Sequence, residues 1–88
     1  MVIYPWPQQI ISGSFRNHQT SFWQAYCSRK GVILVNLFDA FERECQRMGK
    51  EKVLADYFIS GDVHWNERGH AFVFRALDSA FSAEKVGL

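Results

Sequence analysis

A short apolar run in the middle of the chain, residues 32–35, most constrains how this sequence can fold. All four of its residues are apolar and three are β-branched, a pattern typical of a strand covered on both faces in a parallel sheet. Gly31 precedes the run and would end a helix that starts after an N-cap at Thr20 or Ser21 and continues to about Lys30. A strand of this kind needs hydrogen-bonded neighbours in the sheet and helices on both sides.

The segments around this central strand predict alternating strands and helices. Pro5 and Pro7 each remove a backbone donor, so the apolar N-terminus should be a strand end that opens into a rigid loop. The predicted order is a strand end at 1–4, a turn-rich loop at 8–17, a helix to 30, the strand at 32–35, an amphipathic helix at 37–48 ended by Gly49, a helical turn at 51–56, and a last helix from an Asn66 cap to about Ser82.

This alternation indicates an α/β fold, because elements in this order build right-handed parallel crossovers. Two strands do not make a self-sufficient sheet. We therefore expect residues 1–88 to be the C-terminal portion of a single three-layer α/β/α domain with a short parallel sheet. The remaining strands would precede Met1 or come from a partner chain. An unpaired apolar strand edge also predicts self-association as a homo-oligomer.

Charge and composition exclude several classes of function. The formal net charge is +1 and no block of like charge occurs, so neither nucleic acid nor an anionic membrane is an expected partner. The chain has no apolar run of about 18 residues and no signal-peptide pattern, which predicts a soluble protein, cytoplasmic if the chain is complete as given. Cys27 and Cys45 lie in helical patterns without metal-ligand spacing and are predicted to be reduced. We expect no cofactor.

The residues that carry chemistry lie in a short loop before the last helix. Residues 57–71 read YFISGDVHWNERGHA, and Asp62 stands two positions before His64. A neutral histidine can take the proton of a hydroxyl nucleophile, while a carboxylate fixes its tautomer and stabilises the imidazolium. Gly61 permits a tight backbone turn, and the helix that starts at Asn66 would anchor the loop. Asp62 and His64 are therefore the candidate catalytic residues.

Other interpretations of this loop stay open at this point. Asp and His two residues apart are most often ordinary polar loop residues. A metal site with His70 as a further ligand is disfavoured, because six residues separate the two histidines and no fourth ligand is apparent. We therefore predict no metal. Trp65 is the candidate substrate-binding residue, because an indole beside the histidine can line a pocket or pack on a sugar face.

The full string resembles a known family. An aromatic residue, Gly-Asp-x-His-Trp-Asn, two polar residues and Gly-His are similar to the last block of the SGNH (GDSL-like) hydrolases. The preceding Tyr-Pro-Trp-Pro-Gln-Gln, Phe22-Trp23 and Asn36-Leu37-Phe38 segments also resemble bacterial members, so the likeness covers nearly the whole chain. The spacing of Asp62 and His64 looks more like the branch that includes polysaccharide O-acetyltransferases than the commoner D-x-x-H form.

The resemblance implies a flavodoxin-like α/β/α domain in which His64 is the catalytic base and Asp62 its orienting acid. The expected function is a serine esterase that acts on carboxylic esters, with O-acetyl groups on carbohydrate as one candidate substrate. The family's serine block belongs near the start of the domain and has no counterpart here, so the 88 residues alone are predicted to be inactive. The alternatives are a non-catalytic α/β binding or interaction module and a polysaccharide O-acetyltransferase-like domain.

Overall fold

The protein is described here from a computed structural model that covers residues 1–87, with side chains through residue 82. Most of this chain is helical, and a small parallel sheet completes a mixed α/β fold, as the sequence predicts. The elements are β1 (Val2–Ile3), α1 (Pro7–Ser12), α2 (His18–Lys30), β2 (Val35–Asn36), α3 (Leu37–Met48), α4 (Lys50–Tyr57) and α5 (Glu67–Gly87).

The sheet is shorter than the apolar run predicts. β1 and β2 pair in parallel, with Val2 opposite Val35. The prediction of a strand over residues 32–35 that is covered on both faces is wrong, because Val32 and Ile33 are exposed and lie outside β2. The amide of Val32 donates instead to the carbonyl of Cys27, at 2.9 Å, and so takes part in the turn that ends α2. The helix end therefore uses residues that the pattern assigns to the strand.

α1 replaces part of the loop predicted for residues 8–17. Pro7 occupies the first helical position, where a missing amide hydrogen costs nothing. The side chain of Gln9 accepts a hydrogen bond from the Trp6 amide at 2.9 Å, and Gly13 ends the helix with a left-handed φ of 74°. Pro7 therefore starts a helix where the sequence predicts a loop.

The N-cap of α2 lies three residues before Thr20, the earlier of the two predicted caps. Asn17 is the N-cap, and its side-chain oxygen accepts from the Thr20 amide at 2.9 Å. The Thr20 hydroxyl accepts in return from the Asn17 amide at 3.1 Å, which makes a reciprocal capping box. Thr20 is therefore the third helical residue and not the cap.

The second half of the chain follows the predicted pattern closely. α3 has the predicted bounds and ends at Gly49, α4 extends the predicted helical turn by a residue at each end, and α5 begins directly after Asn66. The core cluster lies where these three helices meet the sheet, around Phe41 and Val53, which are fully buried. The rest of this cluster consists of Ile10, Phe15, Val35, Leu37, Ala40, Tyr57, Phe58 and Val73.

Much apolar surface remains exposed on the N-terminal half of the chain. Phe22, Trp23 and Tyr26 form an aromatic cluster on α2, with the Phe22 and Trp23 ring centroids 4.9 Å apart, and Phe22 is exposed. Cys27, on the same helix, is a free thiol, as is Cys45 on α3, in agreement with the sequence. None of the helices described is long and apolar enough to cross a membrane.

Candidate active site

The predicted catalytic loop is a tight hairpin between α4 and α5. Phe58 and Trp65 form an antiparallel bridge, and the Ile59 amide donates to the His64 carbonyl at 3.0 Å. The turn at the tip closes with a hydrogen bond of 3.0 Å from the Asp62 amide to the Ile59 carbonyl. Gly61, the third residue of this turn, has a φ of 72°, which a type II turn requires and glycine adopts without strain. Gly61 therefore stabilises the turn at the tip of the hairpin.

Asn66 holds the base of the hairpin between the two helices. Its amide donates to the Tyr57 carbonyl at 3.0 Å, and its side-chain nitrogen donates to the Asp56 carbonyl at 2.9 Å. Its side-chain oxygen accepts from the Gly69 amide at 2.9 Å, as an N-cap does. One side chain therefore ties the end of α4 to the start of α5.

Gly69 lets α5 approach the hairpin closely. It is buried, and a Cβ built at this position would lie 2.1 Å from the Tyr57 carbonyl oxygen and 2.9 Å from the Cβ of Trp65. Only a residue without a side chain fits here without a shift of the backbone. The start of α5 and the base of the hairpin are thus packed backbone to backbone.

The hairpin brings Asp62 and His64 together. The distance from Asp62 Oδ1 to His64 Nδ1 is 2.6 Å, and the same oxygen accepts from the Val63 amide at 2.6 Å and the His64 amide at 3.2 Å. The hydrogen bond from the imidazole, followed by these backbone donors, holds the pKa of Asp62 below its usual value. The side chains of His64 and Asp62 are 76% and 44% exposed. The pair therefore lies at the surface, where another molecule can reach it.

This geometry leaves the Nε2 nitrogen of His64 available to accept a proton. An ionised Asp62 can only accept, so its partner Nδ1 carries the hydrogen, and in the neutral ring Nε2 then has a free lone pair. Asp62 is the only side chain hydrogen-bonded to the imidazole among those described. The Ser14 hydroxyl is bonded to Ser12 at 2.9 Å, in keeping with a role in the turn after α1. The arrangement can accept a proton from an alcohol that comes from elsewhere.

Trp65, the residue after His64, is half-buried. Its ring lies edge-on between Tyr4, at a centroid distance of 5.0 Å, and His70, at 5.5 Å. The indole Nε1 is buried and has no hydrogen-bond partner among the described residues. Trp65 thus links the N-terminal segment to α5, and its contact with substrate stays a prediction.

An open cleft of about 460 Å³ adjoins the hairpin. α1 forms one wall, α4 another, and the hairpin tip with Asp62 and Val63 closes one end. The full lining is Pro7, Gln8, Ile11, Leu54, Ala55, Phe58, Ile59, Ser60, Gly61, Asp62 and Val63. Among the residues whose side chains are described, no three His, Cys, Asp or Glu residues come together in a way that could hold a metal ion.

A polar cluster around the buried Glu44 carboxylate escapes sequence analysis. Glu44 is only 9% exposed, accepts two hydrogen bonds from Arg47 at 2.8 and 3.0 Å, and accepts another from the Tyr57 hydroxyl. The bonds from Arg47 hold the pKa of Glu44 below its usual value, and burial raises the pKa of Tyr57. The spacing of Glu44 and Arg47 suggests a surface pair on α3, and nothing local indicates the tyrosine 13 residues away. The cluster fixes the end of α4, from which the hairpin starts.

Comparison with known proteins identifies no family model, no curated protein and no solved structure that matches this chain. The sequence pattern and the geometry of the hairpin therefore carry the evidence for a function.

Proposed function

We propose that this chain carries the acid and the base of a serine ester hydrolase of the SGNH type, acting on carboxylic esters. The observation that carries the proposal is the 2.6 Å contact between Asp62 and Nδ1 of an imidazole that is 76% exposed. A carboxylate on Nδ1 and an accessible Nε2 are what a general base for a hydroxyl nucleophile needs.

In the proposed reaction a serine Oγ attacks the acyl carbonyl while His64 Nε2 takes the serine proton. The resulting imidazolium is stabilised by Asp62 and gives this proton to the departing alkoxide, which leaves as the alcohol. Water then attacks the acyl-enzyme, His64 takes a proton from the water, and the acid is released as serine regains its hydrogen. Asp62 stays ionised throughout, in keeping with its lowered pKa.

The nucleophile would come from a segment preceding Met1 or from a partner chain, within a complete three-layer α/β/α domain. The small sheet supports this proposal, because β1 and β2 pair only with each other in the described chain and each leaves one edge without a strand. Val2 in β1 and three neighbours of the strands, Met1, Val32 and Ile33, are exposed apolar residues that also favour a covering layer. A second copy of this chain, paired at a free strand edge, is the other candidate for covering these apolar residues.

The test is reaction of a chain extended upstream of Met1 with a fluorophosphonate probe and with a short-chain aryl ester. A serine should be labelled, and His64→Ala should lower ester turnover on the order of 10⁴-fold or more. His18→Ala is the matched control, because His18 is an exposed histidine at the start of α2. Unchanged turnover in His64→Ala would contradict the proposal. Turnover by the 88 residues alone that His64→Ala abolishes would place the nucleophile within this chain.

A non-catalytic binding module is the second candidate, and the exposed Phe22 in the aromatic cluster of α2 favours it, because an apolar side chain at the surface can contact a partner. The fluorophosphonate experiment separates the two functions, because a binding module would take no label. An O-acetyltransferase would take the label and transfer its acyl group to a sugar hydroxyl rather than to water. Acetylated carbohydrate and a small ester are therefore the two substrates to compare.

A further inference from the structure

We propose that the cleft between α1, α4 and the hairpin binds the acyl part of the substrate, and that this part is a neutral alkyl chain longer than acetyl. The inference rests on the proposed ester hydrolysis. It adds the chemical class of the acyl group, which the Asp62 and His64 geometry alone leaves open.

The walls of the cleft are suited to hydrocarbon. Seven of its eleven lining residues are apolar, with Leu54 and Phe58 among them, and Asp62 is the only charged one. Two large apolar side chains line it while remaining accessible, Ile11 at 61% and Ile59 at 47% exposure. A cleft of about 460 Å³ is within the size range of small-molecule sites. An alkyl chain in it would cover apolar surface that is now in contact with water.

The cleft is continuous with the proposed catalytic pair. Asp62 and Val63 line its hairpin end, and the imidazole of the next residue, His64, lies 2.6 Å from the Asp62 carboxylate. A chain that lies along the cleft would therefore bring the carbonyl at its end close to the base. The turn at Gly61 joins the cleft wall to the segment that carries the base.

The same lining disfavours other ligands. A sugar ring would need an exposed aromatic face and several polar partners. Phe58 is the only aromatic residue in the lining and is only 5% exposed, and Gln8 and Ser60 are the only uncharged polar side chains. An anionic headgroup at the hairpin end would meet the Asp62 carboxylate. A neutral ester with an apolar acyl chain meets neither obstacle.

The experiment is a titration of the 88-residue chain with a series of neutral methyl ketones from 2-butanone to 2-octanone, followed by nitrogen-15 amide NMR. These ketones present a carbonyl and an alkyl chain but are not hydrolysed. Chemical-shift changes should be confined to the amides of the cleft residues. The affinity for the ketone should rise about fourfold with each added methylene group, equivalent to about 0.8 kcal/mol.

Ala55→Trp should remove this dependence on chain length by filling the cleft from the exposed face of α4. Ala71→Trp is the matched control, because Ala71 is also exposed, on α5, but does not line the cleft. This variant should bind the ketones as the unchanged chain does. Affinity that does not depend on chain length, or shifts elsewhere in the protein, would overturn the proposal, whether or not Ala55→Trp folds. Because binding is measured without hydrolysis, this result is independent of the fluorophosphonate labelling that tests the proposed function.

Discussion

Gly69→Ala tests whether α5 and the hairpin meet backbone to backbone. Alanine is a better helix former than glycine by roughly 1 kcal/mol, so the same substitution at an exposed helix position would stabilise the protein. At Gly69, however, the new Cβ would lie 2.1 Å from the Tyr57 carbonyl oxygen, where ordinary contacts are 3.4–4 Å. The start of α5 would have to move by more than an ångström or the Tyr57 carbonyl would have to turn away.

The expected cost is set by the contacts that such a shift disturbs. Overpacking of a close contact costs about 1–3 kcal/mol. The Tyr57 carbonyl also accepts from the Asn66 amide at 3.0 Å, and loss of this hydrogen bond adds about 0.5–1.5 kcal/mol. After the gain in helix propensity is subtracted, Gly69→Ala should lower the free energy of unfolding by about 2 kcal/mol.

Urea denaturation followed by far-ultraviolet circular dichroism measures this change. Ser79→Ala is the control, since Ser79 is exposed on the same helix and its substitution changes propensity alone; this variant should be as stable as the unchanged protein or slightly more stable. The amide NMR signals of residues 57–66 should also shift in Gly69→Ala, because the base of the hairpin moves. A Gly69→Ala protein as stable as the Ser79→Ala control would refute the close approach.

Three other substitutions test the polar cluster around Glu44, the acid of the catalytic pair and the start of α2. Tyr57→Phe should cost about 1.5–3 kcal/mol in urea denaturation at neutral pH, because it removes a donor to the buried Glu44 carboxylate. The pKa of Glu44 is lower in the folded protein than the 4.5 of the free side chain. The ionised carboxylate therefore contributes to the free energy of unfolding above about pH 4.5, and this contribution is lost as the pH falls through the folded pKa. The cost of Tyr57→Phe should shrink over the same pH range. His64→Ala should raise the pKa of Asp62, measured by carboxyl carbon-13 NMR, since the imidazole is the main cause that lowers it. Asn17→Ala should cost about 1 kcal/mol in urea denaturation by loss of the N-cap.

Each of these predictions has a contradicting result. Equal costs of Tyr57→Phe at neutral and acid pH would show that the tyrosine does not bond an ionised Glu44. An unchanged Asp62 titration in His64→Ala would show that the pair is not formed in solution. For the cap, Ser28→Ala is the control within α2, because Ser28 is exposed in the last turn of this helix, far from the cap. Equal stabilities of the Asn17→Ala and Ser28→Ala proteins would show that the capping box does not stabilise α2.

Elements that short-range patterns specify are predicted well. α3 has the expected bounds because its apolar residues recur at helical spacing and Gly49 ends it, and α5 starts after Asn66 because an amide side chain caps it. The errors lie where two local rules compete. At residues 32–35 the β-branched run favours a strand, but the Gly31 turn draws Val32 into the end of α2. In the predicted loop at 8–17, the same Pro7 that breaks a preceding helix starts α1.

The sequence by itself determined the mixed α/β class and the meeting of Asp62 with His64, because these two residues are only two positions apart and the glycine turn beside them leaves the chain one preferred path. Only the tertiary structure decided which residues lie around that pair. The cleft joins α1 to a hairpin some 50 residues further along the chain, and the Glu44 and Tyr57 contact joins two helices. Such contacts depend on how helices pack across the core, and side-chain pattern within one segment does not encode that packing.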